Sequence, residues 1–166
     1  MAYFFSFWEK QLIMTNNEQL TETLNDLVRI NNDRIEGYEK AAEQTRETDV
    51  DLHAIFLKMA AESRNYVDEL QEEIFNIGGE ASSSTTVSGK IYRAWMGVKN
   101  MFTGSDRKSI LASCEYGEDA AQKAYNDALQ SDAEIDADTR QLIMKQKNAL
   151  KESHDIIKKY RDMQPA

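Results

Sequence analysis

Residues 36–42 read E-G-Y-E-K-A-A and residues 115–121 read E-Y-G-E-D-A-A, so one motif occurs twice in this 166-residue chain. Each copy lies in a stretch with the helical spacing of apolar residues, and each stretch is followed by a turn and a second such stretch. Two helical hairpins of one design predict a four-helix bundle with internal pseudo-symmetry. Bundles of this kind can hold two metal ions between carboxylates on facing helices, so the repeated glutamates are the first candidates for a site.

The bundle helices follow from apolar residues that recur every three or four positions. A Gly-Gly pair at 78–79 ends the second helix, because glycine readily adopts the left-handed conformation that closes a helix. The short link between the first two helices makes them antiparallel neighbours. The predicted bundle covers residues 17–163, with helices at about 17–46, 50–77, 106–131 and 138–163.

The long connection at residues 79–105 decides the topology. Residues 80–89 are small and polar, and residues 90–102 have the pattern of a short amphipathic helix. Such a connection spans on the order of 40–50 Å, which is enough to run along the bundle and make the second and third helices parallel. The predicted fold class is therefore an all-α, ferritin-like four-helix bundle of two pseudo-repeated hairpins, with a long crossover that carries a short extra helix.

Composition and charge narrow the class of protein. A formal net charge of −9 argues against a nucleic-acid partner, which would call for a basic surface. The single cysteine, Cys114, rules out an intramolecular disulfide and indicates a reducing cytoplasm. We expect the N-terminal extension, residues 1–16, to be poorly ordered, or else docked on the bundle or a partner. No stretch has the length and apolar character of a transmembrane segment.

Five segments carry a family resemblance. They are L-N-D-L-V-R-I-N-N-D-R-I-E-G-Y-E-K-A-A-E (24–43), I-G-G-E (77–80), S-G-K-I-Y-R-A-W (88–95), I-L-A-S-C-E-Y-G-E-D-A-A (110–121) and S-H-D-I-I-K-K-Y-R-D (153–162). With them, the chain resembles an uncharacterised bacterial family of ferritin-like four-helix bundles, a domain of unknown function, over roughly residues 18–163. The resemblance implies the fold and suggests a stress-related or protective role, but it implies no particular activity.

A metal site is the sharpest functional hypothesis. A di-iron or di-manganese centre takes one glutamate from each of two helices and a Glu-x-x-His pair from each of the other two. The helical phase turns Glu39 and Glu118, the second glutamate of each motif copy, towards the seam between the helices. The same phase turns Glu36 and Glu115, the first glutamate of each copy, towards solvent.

The two Glu-x-x-His pairs are both incomplete. Glu62 is followed by Asn65 where a histidine is needed, and His154 is preceded by Lys151 where a glutamate is needed. Both surviving residues lie on the flanks of their helices. We therefore expect no cofactor, with iron or manganese as the alternative. The metal candidates, in order, are Glu39, Glu118, Glu62 and His154.

The same region also has a structural interpretation, which we favour. Asn31 and Gln146 face the seam and are placed to hydrogen-bond across it. Small residues such as Gly117 and Ala121 allow the helices to approach closely. Four tyrosines, one on each bundle helix, have the positions of buried rings whose hydroxyl groups reach polar partners.

The crossover helix is basic, although the chain as a whole is acidic. It carries Lys90, Arg93 and Lys99 together with Trp95. One interpretation is a contact surface for an acidic protein partner or an anionic surface. The other, which we favour, is that this helix caps the bundle and turns its basic side to the bundle's own carboxylates.

The sequence thus predicts a cytoplasmic helical-bundle protein that is not an enzyme and has a stress-related or protective role. The first alternative is a di-iron or di-manganese carboxylate oxidoreductase, or an iron-binding protein. The second is an interaction module that uses the basic crossover helix, and it requires Trp95 to be exposed. We also expect a homodimer that forms through an exposed helix face.

Overall fold

The computed structural model describes residues 6–101 and 105–165, and within these ranges every regular element is a helix. Four long helices form two hairpins, and a short helix lies on the connection between them. The helices are α1 (Phe7–Thr45), α2 (Val50–Asn76), α3 (Gly89–Lys99), α4 (Arg107–Leu129) and α5 (Ala137–Asp162). No helix in the described part of the chain combines the length and hydropathy that a bilayer crossing requires.

The contacts between helices give the topology. Along α1, Arg34 meets Ser63 and Asn25 meets Glu80, so α2 runs antiparallel to α1. Helix α4 is also antiparallel to α1, since Asn31 contacts Tyr125 while Arg34 contacts Glu118. Helices α2 and α4 are therefore parallel, as the long crossover predicts. Helix α3 packs against both α1 and α4.

Three of the helices have an aspartate as their N-cap residue. The side chain of Asp49 accepts a hydrogen bond from Leu52 N at the start of α2, that of Asp106 from Ser109 N at the start of α4, and that of Asp136 from Thr139 N at the start of α5. Each cap satisfies a backbone donor that has no partner inside its helix.

The end of α2 has the geometry that its sequence predicts. Gly78 has a φ of +78°. Its neighbour Gly79 donates its backbone N–H to the carbonyl of Ile74 at 2.9 Å. Glycine adopts this left-handed conformation without the steric cost that a Cβ atom imposes, and the chain leaves the helix there.

Helix α1 is longer than its apolar pattern indicates. It begins at Phe7, so residues 7–16, which we expected to be poorly ordered, continue the helix. No proline or glycine occurs in α1 before Gly37, so nothing in the sequence stops the helix earlier. Where this segment joins the bundle, Asn16 donates a hydrogen bond of 3.4 Å to Glu134 in the α4–α5 loop. Residues 1–5 lie outside the described part of the chain.

The core consists of two apolar clusters. Along α1, the first cluster ends at Ile30 and the second begins at Tyr38. Between them lie Asn31 and Arg34, both fully buried, so a layer of polar side chains crosses the middle of the bundle. This polar layer is the natural candidate for a site.

Polar side chains of α1 hold the crossover against the bundle, and Asn32 is one of them, since it donates to Ser84 O at 2.9 Å. Asn25 donates to Glu80 O at 2.9 Å and accepts from Ser82 N at 2.7 Å. Asp33 accepts from Thr86 N at 3.1 Å and from Lys99 Nζ at 2.6 Å. The polar segment before α3, expected to be extended or flexible, has no regular secondary structure and is hydrogen-bonded to α1 along its length. Residue 102, the last residue of the predicted short helix, and residues 103–104 after it lie outside the described residues.

Candidate functional site

The polar layer is built around an ion pair with no solvent exposure. Arg34 Nε donates to Glu118 Oε1 at 2.7 Å, and both side chains are 0% exposed. Arg34 Nη1 donates to Ser63 Oγ at 2.7 Å and to Met59 O at 3.2 Å. Tyr38 donates its hydroxyl to the same Glu118 oxygen at 2.5 Å. One arginine thus connects α1, α2 and α4.

Hydrogen bonds continue from this ion pair to the fourth bundle helix. Ser63 Oγ donates to Asn31 Oδ1 at 3.0 Å, and Asn31 Nδ2 donates to the Tyr125 hydroxyl at 2.8 Å. Tyr125 in turn donates to Gln146 Oε1 at 2.7 Å. The predicted pairing of Asn31 with Gln146 across the seam therefore occurs through the Tyr125 hydroxyl, and the network reaches all four bundle helices.

The electrostatics of the layer favour a charged Arg34 and neutral phenols. Burial by itself lowers the pKa of Arg34, but the carboxylate of Glu118 outweighs it, so the pKa lies above its ordinary value. Burial and the charge of Glu118 raise the pKa of Tyr38 well above its ordinary range. Burial also raises the pKa of Tyr125. Both tyrosines therefore keep their protons and act as hydrogen-bond donors.

The layer does not fit a di-metal centre, because it contains one carboxylate and a permanent cation. Glu118 Oε2 is buried and accepts no hydrogen bond from the described residues, so one candidate ligand atom is free. A di-metal centre needs four carboxylates and two histidines around that point. The guanidinium of Arg34 is paired with the other oxygen of the same carboxylate, so an ion at Oε2 would lie close to a fixed positive charge.

The other predicted metal ligands lie away from this layer. Glu39 is about half exposed, at 47%, and forms an ion pair with Arg64 on the bundle surface. Glu62 accepts a hydrogen bond from Ser153 Oγ at 3.2 Å and is 30% exposed. The structure thus does not bring Glu39 or Glu62 to Glu118, although the helical phase gave the two motif glutamates equivalent positions.

His154 and Glu115 lie together on a different seam, between α4 and α5. His154 Nε2 is 2.6 Å from Asp119 Oδ1, and its Nδ1 is 3.0 Å from Asp155 Oδ1. Glu115, predicted to face solvent, is only 8% exposed. That prediction is wrong because Arg161 of α5 covers the carboxylate, with its Nη1 at 2.5 Å from Glu115 Oε2.

Trp95 on the crossover helix is completely buried. The interpretation that requires an exposed Trp95 at a partner surface is therefore wrong for this residue. Lys99 is not free for a partner either, since it pairs with Asp33 at 2.6 Å and with Glu36 at 3.1 Å. Lys90 and Arg93 remain exposed. The helix caps the bundle, with Lys99 on the bundle's own carboxylates.

The glycines of the repeated motif explain how Trp95 is buried. A Cβ atom on Gly37 would lie 2.5 Å from the indole ring, and one on Gly117 would lie 2.8 Å from it. One glycine from each motif copy thus leaves space for the Trp95 ring, and both α1 and α4 can pack closely against α3. The repeat is a packing device that joins the two hairpins through the crossover.

The sequence as a whole can be compared with known families. The family model described as a domain of unknown function, DUF2383, matches residues 19–131, which is more than half of the chain. The chain belongs to the DUF2383 family. No curated protein matches its sequence.

A solved structure supports the fold of this DUF2383 chain. A mutant of Dps1 from Mycobacterium smegmatis superposes with a TM-score of 0.71 over 89% of this chain and 97% of the other, at 12% sequence identity. At that identity the likeness concerns the fold alone. The predicted all-α, ferritin-like bundle is confirmed.

Arg34 is the residue of the DUF2383 site that the sequence pattern failed to reveal. The apolar face predicted for this helix includes Ile35 and omits Arg34, yet Ile35 is only half-buried. The signal was a strict alternation of three- and four-residue spacings, which marks one seam of a helix. The buried residues with that spacing are Leu20, Leu24, Leu27, Asn31, Arg34, Tyr38, Ala41 and Thr45.

Proposed function

We propose that this DUF2383 protein is a non-catalytic ferritin-like bundle in which a buried arginine takes the place of a metal centre. The observation that carries the proposal is the ion pair of Arg34 with Glu118, fully buried at the point where the four helices meet. In this proposal the protein has a stress-related, protective role in the cytoplasm and acts as a folded body rather than through a reaction. A single cysteine buried as a free thiol supports that compartment.

The chemistry of arginine supports this function. A guanidinium group stays charged at any physiological pH and presents its donors in a fixed planar fork. Arg34 directs these donors at Glu118, Ser63 and the Met59 carbonyl, so its geometry is determined by three helices. A divalent cation at Glu118 would have to displace this charge or lie beside it in a medium of low dielectric constant, where like charges repel strongly.

Metal analysis tests the non-catalytic part of the proposal. The full chain is purified without chelator, and iron, manganese and zinc are counted per chain by mass spectrometry, alongside an assay of Fe²⁺ oxidation. We expect no Fe²⁺ oxidation and no metal whose binding depends on Glu118. Two iron or manganese ions per chain that are lost in Glu118→Gln would overturn the proposal and establish the di-metal alternative.

A survival assay tests the protective part. A bacterial host that expresses the chain is compared with the same host carrying an empty vector, after exposure to peroxide or to drying. We expect higher survival with the chain, and the same benefit from the Glu39→Gln variant, which removes the exposed candidate ligand. Equal survival of host cells with and without the chain would contradict a protective role.

A further inference from the structure

We propose that Glu115, Asp119 and His154 form a binding site for one divalent transition-metal ion on the seam between α4 and α5. This site is separate from the polar layer, and it goes beyond the proposed function, which assigns no ligand to the protein. The three residues each place one ligand atom within 4.8 Å of the other two.

The backbone brings these three side chains together without strain. Glu115 and Asp119 are one helical turn apart on α4, so both carboxylates are on one side of that helix. The antiparallel α5 sets His154 opposite Asp119, with 2.6 Å between His154 Nε2 and Asp119 Oδ1. Ligand atoms about 2.0–2.2 Å from one zinc ion are themselves roughly 3–4 Å apart, so small side-chain rotations complete the site.

The histidine is already oriented for coordination. Asp155 lies at 3.0 Å from His154 Nδ1 and is not one of the three ligands. A carboxylate on one ring nitrogen fixes the tautomer and leaves the other nitrogen to bind metal, which is the usual outer partner of a metal-binding histidine. Nε2 is paired with Asp119 Oδ1 at 2.6 Å in the absence of an ion, and in the proposed site both of these atoms bind the metal instead.

Burial of the site is graded from the inside to the outside. Glu115 is 8% exposed, and among the described residues its Oε2 is paired with Arg161 alone. The His154 side chain is 18% exposed and that of Asp119 is 58% exposed. An ion held here would have a desolvated carboxylate on its inner side and open coordination positions towards solvent, where water or a further ligand can bind.

In the absence of an ion, Arg161 neutralises the charge of Glu115, and it also has a second carboxylate partner, Asp162. Its Nη1 lies 2.5 Å from Glu115 Oε2, and its Nη2 donates to Asp162 Oδ1 at 2.9 Å. When a cation replaces the guanidinium at Glu115, the arginine keeps Asp162 as a partner. The polar layer offers no such exchange, because Arg34 is enclosed on every side.

The donor set selects the class of ion. One imidazole nitrogen with two carboxylate oxygens suits Zn²⁺, Fe²⁺ or Mn²⁺ better than Ca²⁺, which prefers oxygen ligands alone. Zn²⁺ is the appropriate probe, since it forms stable four-coordinate sites with three protein ligands and one water.

Calorimetric titration of ZnCl₂ into the full, metal-stripped chain tests this site. We expect one Zn²⁺ per chain, with affinity reduced at least tenfold in His154→Ala and also in Asp119→Asn, an exposed position where misfolding is not expected. Asp155→Asn should weaken binding about tenfold through the orientation of the ring. His53→Ala is the matched control, because the only other histidine of the chain lies on α2 and bonds the Ala42 carbonyl.

Several outcomes would overturn the site. One is the absence of Zn²⁺ binding, and another is binding that survives both His154→Ala and Asp119→Asn. Equal loss in His53→Ala would mean adventitious binding by histidines. Zn²⁺ binding that is lost in Glu118→Gln but kept in His154→Ala would place the ion in the polar layer, and would contradict both this site and the proposed function. Loss in His154→Ala with no effect of Glu118→Gln would support both.

Discussion

At the scale of single residues, the molecule depends on how completely its buried polar groups are matched. A buried charge is costly unless it is paired and hydrogen-bonded. Arg34 meets this condition through Glu118, Ser63 and the Met59 carbonyl, and its guanidinium also lies 5.0 Å from the centre of the Tyr38 ring. A substitution that removes one of these side chains leaves its partners buried without a hydrogen bond or an opposite charge. The loss of stability therefore depends on which polar or charged groups are left unpaired.

Arg34→Met tests the dependence on this ion pair. We expect it to lower the free energy of unfolding by about 3–5 kcal/mol, because it leaves Glu118 buried without its partner. The double variant Arg34→Met with Glu118→Gln should lose less than Arg34→Met alone, since no buried charge remains. Urea unfolding followed by circular dichroism gives both values.

The control for that experiment is Arg29→Met on the same helix. Arg29 is partly exposed and pairs with Asp26 at 3.0 Å near the surface, so its loss should cost less than about 1 kcal/mol. Similar losses for Arg34→Met and Arg29→Met would show that the buried pair has no special weight.

The two motif glycines give a second prediction at this scale. Gly37→Ala and Gly117→Ala should each lower the free energy of unfolding by about 1–3 kcal/mol, because the new Cβ atom overlaps the buried Trp95 ring. Gly97→Ala on α3 is the control, since a Cβ atom there meets open space, and it should stabilise the helix by roughly 0.5–1 kcal/mol. Thermal unfolding of the three variants compares them, and a stabilising Gly37→Ala would contradict the packing.

At the scale of elements, the position of the crossover depends on its hydrogen bonds to α1, and the stability of α2, α4 and α5 depends on their N-terminal caps. Residues 80–88 have no regular structure and are held to α1 by hydrogen bonds that Asn25 and Asn32 donate and that Asp33 accepts. Asp33 is the stronger anchor, since it is buried and bonds both the segment before α3 and Lys99 at its end. Loss of this one carboxylate should therefore free the crossover while the two hairpins stay folded.

Limited proteolysis measures that release. Asp33→Ala should be cut within residues 80–88 by proteinase K much faster than the unmodified chain, and mass spectrometry of the fragments locates the cut. Asp26→Ala is the control on the same helix, because Asp26 pairs with Arg29 and has no hydrogen bond to the described part of the crossover. Equal cutting rates in the two variants would contradict the anchoring role of Asp33.

The cap of α5 gives a prediction about pH. Hydrogen bonds from Thr139 hold the pKa of Asp136 below its ordinary value. The ionised carboxylate therefore stabilises the fold at pH values above its unfolded pKa, and this contribution is lost as pH falls through the lower, folded pKa. Asp136→Ala should cost about 1 kcal/mol at pH 7.

The difference between Asp136→Ala and the unmodified chain should shrink as the pH falls below 3.8, the ordinary pKa of aspartate, towards the lower pKa of the folded cap. Asp136→Asn keeps an acceptor for the Thr139 N–H and carries no charge, so its effect on stability should not follow this titration. Unfolding curves at several pH values compare the three chains. A cost of Asp136→Ala that is constant from pH 7 to pH 3 would show that the charge of the cap is irrelevant.

At the scale of the whole molecule, the sequence predicts the architecture better than the site. The hairpins, the parallel α2 and α4 and the crossover follow from apolar spacing and loop length, which are properties of single segments. Arg34 and Glu115 escape this reasoning because their burial depends on a side chain from another helix, Glu118 for the first and Arg161 for the second. A helical phase assigns each residue an angle, but it does not say what covers that residue.

The expected homodimer is a prediction at this scale. Val50, Leu57 and Phe75 lie on one outward line of α2 and are 74%, 47% and 81% exposed. We expect a dimer in sedimentation equilibrium, and a monomer for the double variant Leu57→Glu with Phe75→Glu. Tyr116→Glu on α4, a comparably exposed side chain, is the control and should leave the dimer intact. A chain that sediments as a monomer at all concentrations would contradict this interface.

The burial of Trp95 also makes its fluorescence a probe of whether the two hairpins are packed together. The chain has two tryptophans, and they differ sharply in environment, since Trp95 has no solvent exposure whereas Trp8 is 78% exposed. A soluble quencher such as acrylamide reaches an indole only where water does, so Trp8 emission is quenched in the native state and Trp95 emission is shielded. Because Trp95 is wedged between the two hairpins, its fluorescence reports the moment at which they separate.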